Sequence, residues 1–165
     1  MDPAGVELQS SEQGKLRVAE RQGSQIRFNL SHSKGFAIFA ITRGREVGID
    51  IEQVDGTRAW RDVAKVFFTG CEREVISRLP ADRQIEMFFE IWTRKESILK
   101  ALGMGLQFDP AHIDVAGNDS LGREITLRHE ERPWKLLSLS ADGFAATLAA
   151  PSDGWHVQQH HWPVE

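Results

Sequence analysis

The stretch Gly48-Ile49-Asp50-Ile51-Glu52 decides the fold, together with a longer stretch further on, Trp92-Thr93-Arg94-Lys95-Glu96-Ser97-Ile98-Leu99-Lys100-Ala101-Leu102-Gly103. In the first stretch, isoleucines alternate with carboxylates, which is typical of a β-strand with one apolar and one polar face. The spacing therefore predicts that both isoleucines face a core while Asp50 and Glu52 face outward together.

The second stretch is predicted to end a long helix over residues 82–102. Apolar side chains recur along it at spacings of three and four, and Gly103 is suited to terminate it. Trp92, Glu96 and Lys100 fall on one stripe at spacing four, whereas Lys95 lies off that stripe and reads as a surface charge. The phases of the two patterns predict a shared core between strand and helix, formed by Ile49, Ile51, Phe88, Trp92 and Leu99.

The remainder of the chain gives the fold class. Strand patterns are predicted around residues 15–19, 25–30, 36–42 and 46–51, a helix over 58–68 that Gly70 closes, and shorter helical pieces up to residue 79. After the long helix, strand patterns return at 113–115, 124–127, 135–139, 144–149 and 155–158. This order predicts an α+β fold with an antiparallel sheet packed on a long helix, in one domain spanning residues 1–165.

Composition narrows the class of protein. A chain of 165 residues with 41% hydrophobic side chains suits one globular domain with a real core. The formal net charge of −4 gives no basic field for nucleic acid, and no apolar run is long enough to cross a bilayer. A single cysteine, Cys71, excludes an internal disulfide framework. We therefore expect a cytoplasmic protein that binds neither nucleic acid nor membrane.

Three carboxylates and a lysine on these two elements are what a divalent metal and a phosphate ester require. Mg²⁺ takes a few protein carboxylates and completes its coordination with water and phosphate oxygens. Each feature also has a structural interpretation. Asp50 and Glu52 could belong to a half-buried strand with a solvated face, and Glu96 and Lys100 could form an ion pair on an exposed helix.

A third motif is Phe28-Asn29-Leu30-Ser31-His32-Ser33, an alternating strand that ends in Ser-His-Ser. A histidine at a strand end is more often structural than catalytic. A serine hydrolase would need a nucleophile on a strained turn, and the chain has no Gly-x-Ser-x-Gly. The remaining histidines show no metal-ligand spacing, and one cysteine argues against zinc.

Taken together, the three motifs resemble the 4′-phosphopantetheinyl transferases, in particular the two-lobed, surfactin-synthetase-activating type. The spacer Phe67-Phe68-Thr69 followed by Glu72, and the glycines Gly103 and Gly105, fit the same family. The resemblance runs from about residue 14 to residue 106. It implies a lobe of that fold and an enzyme that moves the phosphopantetheine arm of coenzyme A onto a serine of an acyl or peptidyl carrier protein, releasing 3′,5′-ADP. Such enzymes serve fatty acid, polyketide and nonribosomal peptide biosynthesis.

The resemblance also implies roles for individual residues. Asp50, Glu52 and Glu96 would hold Mg²⁺, with Mn²⁺ as a possible substitute at an all-oxygen site. Glu96, directly or through water, would be the base for the carrier serine.

Phosphate and nucleotide contacts follow from the same pattern. His32 and Lys100 would contact phosphate oxygens, Ser31 would lie near the nucleotide, and Lys15 would be a further phosphate contact. A metal, an imidazolium and an ammonium together suffice for phosphoryl transfer, which is mainly positioning and neutralisation of charge.

One departure from the family concerns the N-terminal lobe, most of which is absent ahead of the Asn-Leu-Ser-His motif. Residues 1–23 are interpreted as a remnant of that lobe or as a linker. The related single-lobed holo-acyl-carrier-protein synthases place their sites between subunits, so a homodimer could complete a nucleotide pocket here. We expect the chain alone to bind coenzyme A weakly and to transfer poorly or not at all unless it self-associates.

Two alternatives to a transferase remain open at this stage. A shortened, non-catalytic relative could bind coenzyme A or a carrier protein without transferring the arm. A metal-dependent phosphohydrolase would use the same acids and phosphate ligands, although the family-like spacing disfavours it.

Overall fold

The computed structural model describes residues 3–11, 14–19, 23–105, 108–116, 124–129 and 132–161. The elements follow in chain order: β1 (Leu8–Ser10), β2 (Leu16–Val18), β3 (Ile26–Ser33), β4 (Phe36–Arg43), β5 (Gly48–Gln53), α1 (Trp60–Phe67), α2 (Gly70–Ser77), α3 (Ala81–Leu102), β6 (Glu124–His129), β7 (Arg132–Ser138) and β8 (Phe144–Pro151). Short 3₁₀ turns cover Pro3–Gly5 and Pro110–His112. No helix in these ranges has the length and apolar character needed to cross a bilayer.

An antiparallel sheet with the strand order β5-β8-β7-β6 packs against the long helix α3, which confirms the predicted α+β class. The core between them consists mainly of apolar side chains from α3 and small residues of β8, such as Ala145 and Ala149. A buried hydroxyl contact, 3.0 Å between Thr93 Oγ1 and Thr147 Oγ1, joins helix and sheet. Gly103 ends α3 in the left-handed conformation, with φ of 69°.

The faces of β5 are the reverse of the prediction. Asp50 is opposite Thr147 in the register with β8, and both side chains face α3. Ile49 points away from the helix into a second apolar cluster with Ala40, Val47 and Leu148. The acids are therefore turned toward the helix rather than outward, and the isoleucines do not lie between sheet and helix.

Gly48 explains how β5 can approach α3 so closely. A Cβ atom at this position would lie 1.9 Å from the carbonyl oxygen of Ser97 and 2.5 Å from the amide nitrogen of Ala101. Only glycine allows main chain to approach main chain at this distance. The start of the strand therefore rests directly on the last turns of α3, and the following acids face Glu96 and Lys100.

The predicted core residues have mixed outcomes. Phe88 and Leu99 are buried in the core on α3, and Ile49 is buried in the second cluster, while Ile51 and Trp92 are half-buried. Trp92 belongs to an aromatic cluster: its ring meets Phe67 edge-on at 5.9 Å and stacks on Phe88 at 6.2 Å between centroids.

The strands β3 and β4 form a separate two-stranded antiparallel hairpin. Its inner face covers the free edge of β5, but side chains rather than a backbone ladder make the junction. Asn29 Oδ1 accepts a hydrogen bond from the amide of Ile49 at 2.9 Å, and Ser33 Oγ accepts one from the amide of Gln53 at 3.1 Å. These side chains satisfy amide groups that an edge strand otherwise leaves free.

Some element boundaries differ from the prediction. Gly70 begins α2 instead of closing α1, because Thr69 and Glu72 form a reciprocal capping box at the start of α2. Residues 113–115 follow a 3₁₀ turn and residues 155–158 are irregular, so neither segment is a strand. The other predicted strands and the long helix are confirmed within a few residues.

Candidate functional site

The centre of the candidate site is a buried contact among Lys100, Asp50 and Ser31. The Lys100 ammonium lies 2.6 Å from Asp50 Oδ1 and donates to Ser31 Oγ at 3.0 Å and to the carbonyl oxygen of Ile49 at 3.3 Å. The Ser31 hydroxyl donates to the same Asp50 oxygen at 2.8 Å. Strand β3, strand β5 and the end of α3 therefore meet at one carboxylate oxygen.

The second oxygen of Asp50 has no such partner. Asp50 is 4% exposed, and its Oδ2 is buried without a hydrogen bond to any of the described residues. Burial raises the pKa of this carboxyl above its ordinary value, against the opposing effect of Lys100 and Ser31. A buried carboxylate oxygen without a partner is costly, so this oxygen is the least satisfied part of the site.

Asp50 and Glu52 lie close enough to Glu96 to interact with it electrostatically. The pKa of Glu96 is raised, first by burial and next by the negative charge of Asp50, with a smaller contribution from Glu52. Glu52 Oε2 accepts from Ser33 Oγ at 3.3 Å and pairs with Arg58 at 3.3 Å. The structure thus brings the three predicted metal ligands into one neighbourhood.

The acids are nevertheless not gathered as a ready metal-binding set. Within the described ranges, no group of three His, Cys, Asp or Glu side chains has an arrangement that would hold a metal ion. One oxygen each of Asp50 and Glu52 is directed at the lysine, arginine and serine partners already described. The three-carboxylate site predicted from sequence stays a prediction.

The structure does not bring His32 to the acids. Alternation along β3 places its side chain on the face opposite Ser31 and Ser33, and it is exposed there beside Ala37 of β4. Phe28 and Leu30 share that outer face.

Lys15 lies near Lys100 but is already engaged. Its ammonium lies 2.6 Å from Glu46 Oε2 and 2.6 Å from the carbonyl oxygen of Ala101. Burial lowers the pKa of Lys15, while the Glu46 carboxylate opposes that shift. Lys15 is 8% exposed, so it anchors the segment before β2 to the end of α3.

A cavity of about 290 Å³ opens between these lysines. Its walls include Lys15, Lys100, Phe28 and Leu30, and the turn after α3 contributes Gly103 and Gly105. Both glycines have positive φ, 69° and 57°, which this tight turn requires. The cavity combines apolar walls with the side chains of two lysines, whose ammonium groups contact Glu46 and Asp50.

Lys95 is the clearest correction to the sequence prediction. It is 1% exposed rather than a surface charge, and its ammonium pairs with the fully buried Glu72 at 2.8 Å. The same ammonium donates to the carbonyl oxygens of Pro110 at 2.8 Å and Ile113 at 2.5 Å. Glu72 Oε1 in turn accepts from the amide of Val115 at 2.8 Å. The network connects α2 and the segment after α3 to the long helix. In the sequence, the local pattern that points to it is the capping-box spacing of Thr69 and Glu72.

Comparison with known proteins identifies the family. Residues 46–149, more than half of the chain, match the family model ACPS, the 4′-phosphopantetheinyl transferase superfamily. The chain belongs to the 4′-phosphopantetheinyl transferase superfamily. The family resemblance inferred from the three motifs is therefore confirmed.

Several members of the superfamily are similar over most of the chain. The 4′-phosphopantetheinyl transferase HetI of Nostoc sp. is 32% identical over 164 residues, covering 98% of this chain and 68% of that protein. A Bacillus subtilis 4′-phosphopantetheinyl transferase is 31% identical over 86% of this chain and 61% of its own length. For Escherichia coli AcpT the identity is 36%, over 70% of this chain and 57% of that protein. The chain thus spans roughly three fifths to two thirds of the length of these relatives.

A solved structure supports the same assignment at the level of the fold. The crystal structure of a holo-(acyl-carrier-protein) synthase from Bacillus anthracis, in complex with CoA (3′,5′-ADP), is similar with a TM-score of 0.55 and 25% identity. The match covers 64% of this chain and 94% of that synthase. The α+β lobe built around β5 and α3 is therefore a transferase-superfamily fold.

Proposed function

We propose that this protein is a holo-carrier-protein synthase that transfers the 4′-phosphopantetheine arm of coenzyme A to a serine of an acyl or peptidyl carrier protein. The observation that carries the proposal is the meeting of Asp50, Glu52, Glu96 and Lys100 where β5 packs against α3, beside a cavity that Lys15 and Lys100 line. Membership of the superfamily and the activities named for its relatives support the same reaction.

The residues present fit a divalent cation. Asp50 supplies a buried carboxylate oxygen without a hydrogen-bond partner among the described residues, and the pKa of Glu96 is raised first by burial and next by the charge of Asp50. Asp50, Glu52 and Glu96 would hold Mg²⁺, or Mn²⁺, since all their donors are oxygens. The bound metal would supply positive charge to the pyrophosphate oxygens of coenzyme A.

The chain's own side chains account for the transfer step. Glu96 accepts the proton of the carrier serine, a role suited by a pKa above that of an ordinary glutamate. The serine oxygen then bonds to the phosphorus that carries pantetheine, while the bond from that phosphorus to the leaving 3′,5′-ADP breaks. The leaving ADP oxygen keeps the electron pair, and the Lys100 ammonium faces the developing negative charge.

Nucleotide binding uses the cavity and the outer face of β3. Lys15 and Lys100 line the cavity. Lys100, whose side chain is 29% exposed, would contact phosphate oxygens there, and Lys15 would do so only on leaving Glu46. His32 lies on the same face of β3 as Phe28 and Leu30, which form a cavity wall. A nucleotide that extends from the cavity along this strand would therefore reach His32 without approaching the acids.

The direct test is incubation with coenzyme A, Mg²⁺ and a panel of apo carrier proteins, followed by mass spectrometry of the carriers. We expect addition of the phosphopantetheine arm to the carrier, and we expect Glu96→Gln to abolish it. Glu86→Gln should retain it. This variant is the matched control, because Glu86 lies on the exposed side of α3 and pairs with Arg83. Asp50→Asn is preferable to Asp50→Ala, because Asp50 is buried rather than partly exposed as the sequence suggested.

Other outcomes of the same experiment would contradict the proposal. Binding of coenzyme A or a carrier without arm addition would indicate a non-catalytic relative. Release of inorganic phosphate from coenzyme A would indicate a phosphohydrolase.

A further inference from the structure

Three polar side chains on the inner face of β3 each meet the strand that carries the acids. Asn29, Ser31 and Ser33 occur at every second position, so all three point toward β5. Asn29 and Ser33 accept hydrogen bonds from the β5 amides of Ile49 and Gln53 at 2.9 and 3.1 Å. We call these three residues the polar row.

The two serines also contact the carboxylates themselves. Ser31 donates to Asp50 Oδ1 at 2.8 Å, and Ser33 donates to Glu52 Oε2 at 3.3 Å. Both serines are buried, with 7% and 8% of their surface exposed. Each acid on β5 is thus held by one serine of β3, and Asn29 holds the strand just before the first acid.

We propose that the polar row positions the metal-binding carboxylates, with Ser31 and Ser33 holding Asp50 and Glu52. This inference rests on the proposed function, since it assigns a purpose to contacts with the proposed metal ligands. Side chains that hold metal-binding groups in place typically contribute tenfold or more to metal affinity. Ser31 is then a positioning residue, whereas the family resemblance alone placed it near the nucleotide.

Ser31 is especially constrained because it serves two groups at once. Its hydroxyl donates to Asp50 Oδ1 and accepts from the Lys100 ammonium at 3.0 Å. One hydroxyl therefore bridges the carboxylate and the ammonium, which also contact each other directly at 2.6 Å. A hydroxyl committed to both partners has little capacity left for a nucleotide, so its loss affects the acid first.

The test uses the full chain without coenzyme A and measures Mn²⁺ binding by electron paramagnetic resonance. We expect Ser31→Ala to weaken Mn²⁺ binding about tenfold. Ser31→Thr keeps the hydroxyl and should restore most of the affinity. Ser33→Ala is the second variant, and its Mn²⁺ binding should weaken in the same direction.

Thr42→Val is the matched control, because Thr42 lies on the inner face of the same hairpin and donates its hydroxyl only to the carbonyl oxygen of Arg45, at 2.5 Å. Its Mn²⁺ affinity should equal that of the unsubstituted chain. Thermal unfolding of each variant separates loosening of the hairpin from loss of the carboxylate contacts, and 3′,5′-ADP binding measured without metal reports on the nucleotide.

The outcomes separate this inference from the proposed function. If Asp50→Asn abolishes Mn²⁺ binding but Ser31→Ala and Ser33→Ala bind Mn²⁺ like Thr42→Val, the positioning role is wrong while the metal site stands. If Ser31→Ala weakens 3′,5′-ADP binding and leaves Mn²⁺ binding unchanged, Ser31 contacts the nucleotide instead of positioning Asp50. If the unsubstituted chain shows no Mn²⁺ binding that Asp50→Asn removes, the proposed metal site itself fails, and the inference with it.

Discussion

At the scale of single residues, the chain contains two kinds of buried charge. Lys95 and Glu72 are fully buried, but each is paired and hydrogen-bonded by surrounding main chain. Glu96 is different, since its pKa is raised by burial and by the neighbouring charge of Asp50. The Lys95–Glu72 pair stabilises the fold only while both partners are present. The Glu96 carboxylate lowers the stability of the fold but is left without a paired cation among the described residues of the site.

Replacing Glu96 by glutamine should stabilise the metal-free protein at neutral pH. Because the pKa of Glu96 is higher in the folded chain than in the unfolded chain, the folded state binds this proton more tightly. Stability contributed by the protonated group is present below the ordinary pKa of 4.5 and is lost as pH rises through the folded pKa. We therefore expect a higher melting temperature for Glu96→Gln near neutral pH.

Thermal unfolding with a chelator, measured from acid to neutral pH, tests this expectation. The gain should vanish as the pH falls below the ordinary glutamate pKa of 4.5, where Glu96 is protonated in both states. Glu86→Gln, at an exposed position of the same helix, should show no such pH dependence. A gain that grows toward low pH would mean that the pKa of Glu96 is lowered in the folded chain.

Replacing Lys95 by methionine should destabilise the protein strongly. The change leaves the buried Glu72 carboxylate without its cation and the carbonyl oxygens of Pro110 and Ile113 without their donor. Breaking a buried pair in this way costs about 3–5 kcal/mol of unfolding free energy. Urea unfolding measures this cost, with Lys65→Met as the control, because Lys65 is 72% exposed and, among the described residues, its ion-pair partner is the exposed Asp62. Equal, small effects of the two changes would contradict the buried network.

At the scale of secondary-structure elements, the contact between β5 and α3 decides the site. Gly48 allows the strand to rest on the helix main chain at Ser97 and Ala101. The acids that follow are turned toward Glu96 and Lys100 because β5 approaches the helix at this point. A side chain at residue 48 would separate the two elements just where the acids begin.

Gly48→Ala is therefore expected to destabilise the fold and to weaken Mn²⁺ binding at the same time. The added methyl group would meet main-chain atoms at 1.9 and 2.5 Å, which cannot move independently of the helix. Overpacking of this kind costs about 1–3 kcal/mol or more. Gly56→Ala is the matched control, since its Cβ would meet only the Ile85 side chain at 3.7 Å. Wild-type stability and Mn²⁺ binding in Gly48→Ala would refute this account of the site.

The same element contact shows what could be predicted from sequence. Alternation in β5 and the three-and-four spacing in α3 correctly predicted a strand and a helix, and the three motifs correctly predicted the family. Periodicity shows which side chains of a strand share a face, but not which neighbouring element covers that face. The prediction therefore turns the acids of β5 outward, whereas they face α3. Lys95 was misread for a related reason, because its partners Glu72, Pro110 and Ile113 are distant in sequence.

At the scale of the whole molecule, the outer face of the hairpin remains exposed within the described part of the chain. Its central positions, by cross-strand register, are Phe28, Leu30, His32, Ala37, Phe39 and Ile41. Phe39 is 64% exposed and Ile41 is 72% exposed. None of these six side chains carries a permanent charge. Two copies of the face can therefore pack against each other without burying an unpaired charge.

We expect the protein to self-associate through the β4 side of this face, at Phe39 and Ile41. Light scattering at increasing protein concentration should show a rising molar mass. The double change Phe39→Ser and Ile41→Thr should abolish that rise, because it removes the two most exposed apolar side chains of the face. Val66→Thr, at a 63% exposed apolar position on α1, should leave association unchanged. A strictly monomeric unsubstituted chain at every concentration would show that a second copy does not cover this face.

The polar row has a consequence for how the hairpin finds its place during folding. A ladder of main-chain hydrogen bonds accepts almost any side chain, whereas a junction made of an asparagine and two serines depends on which side chains face β5. A slip of one residue would turn Leu30 and His32 toward β5 and leave the amides of Ile49 and Gln53 without acceptors. The contacts of the polar row therefore disfavour docking of the hairpin on β5 in a shifted register, already during folding.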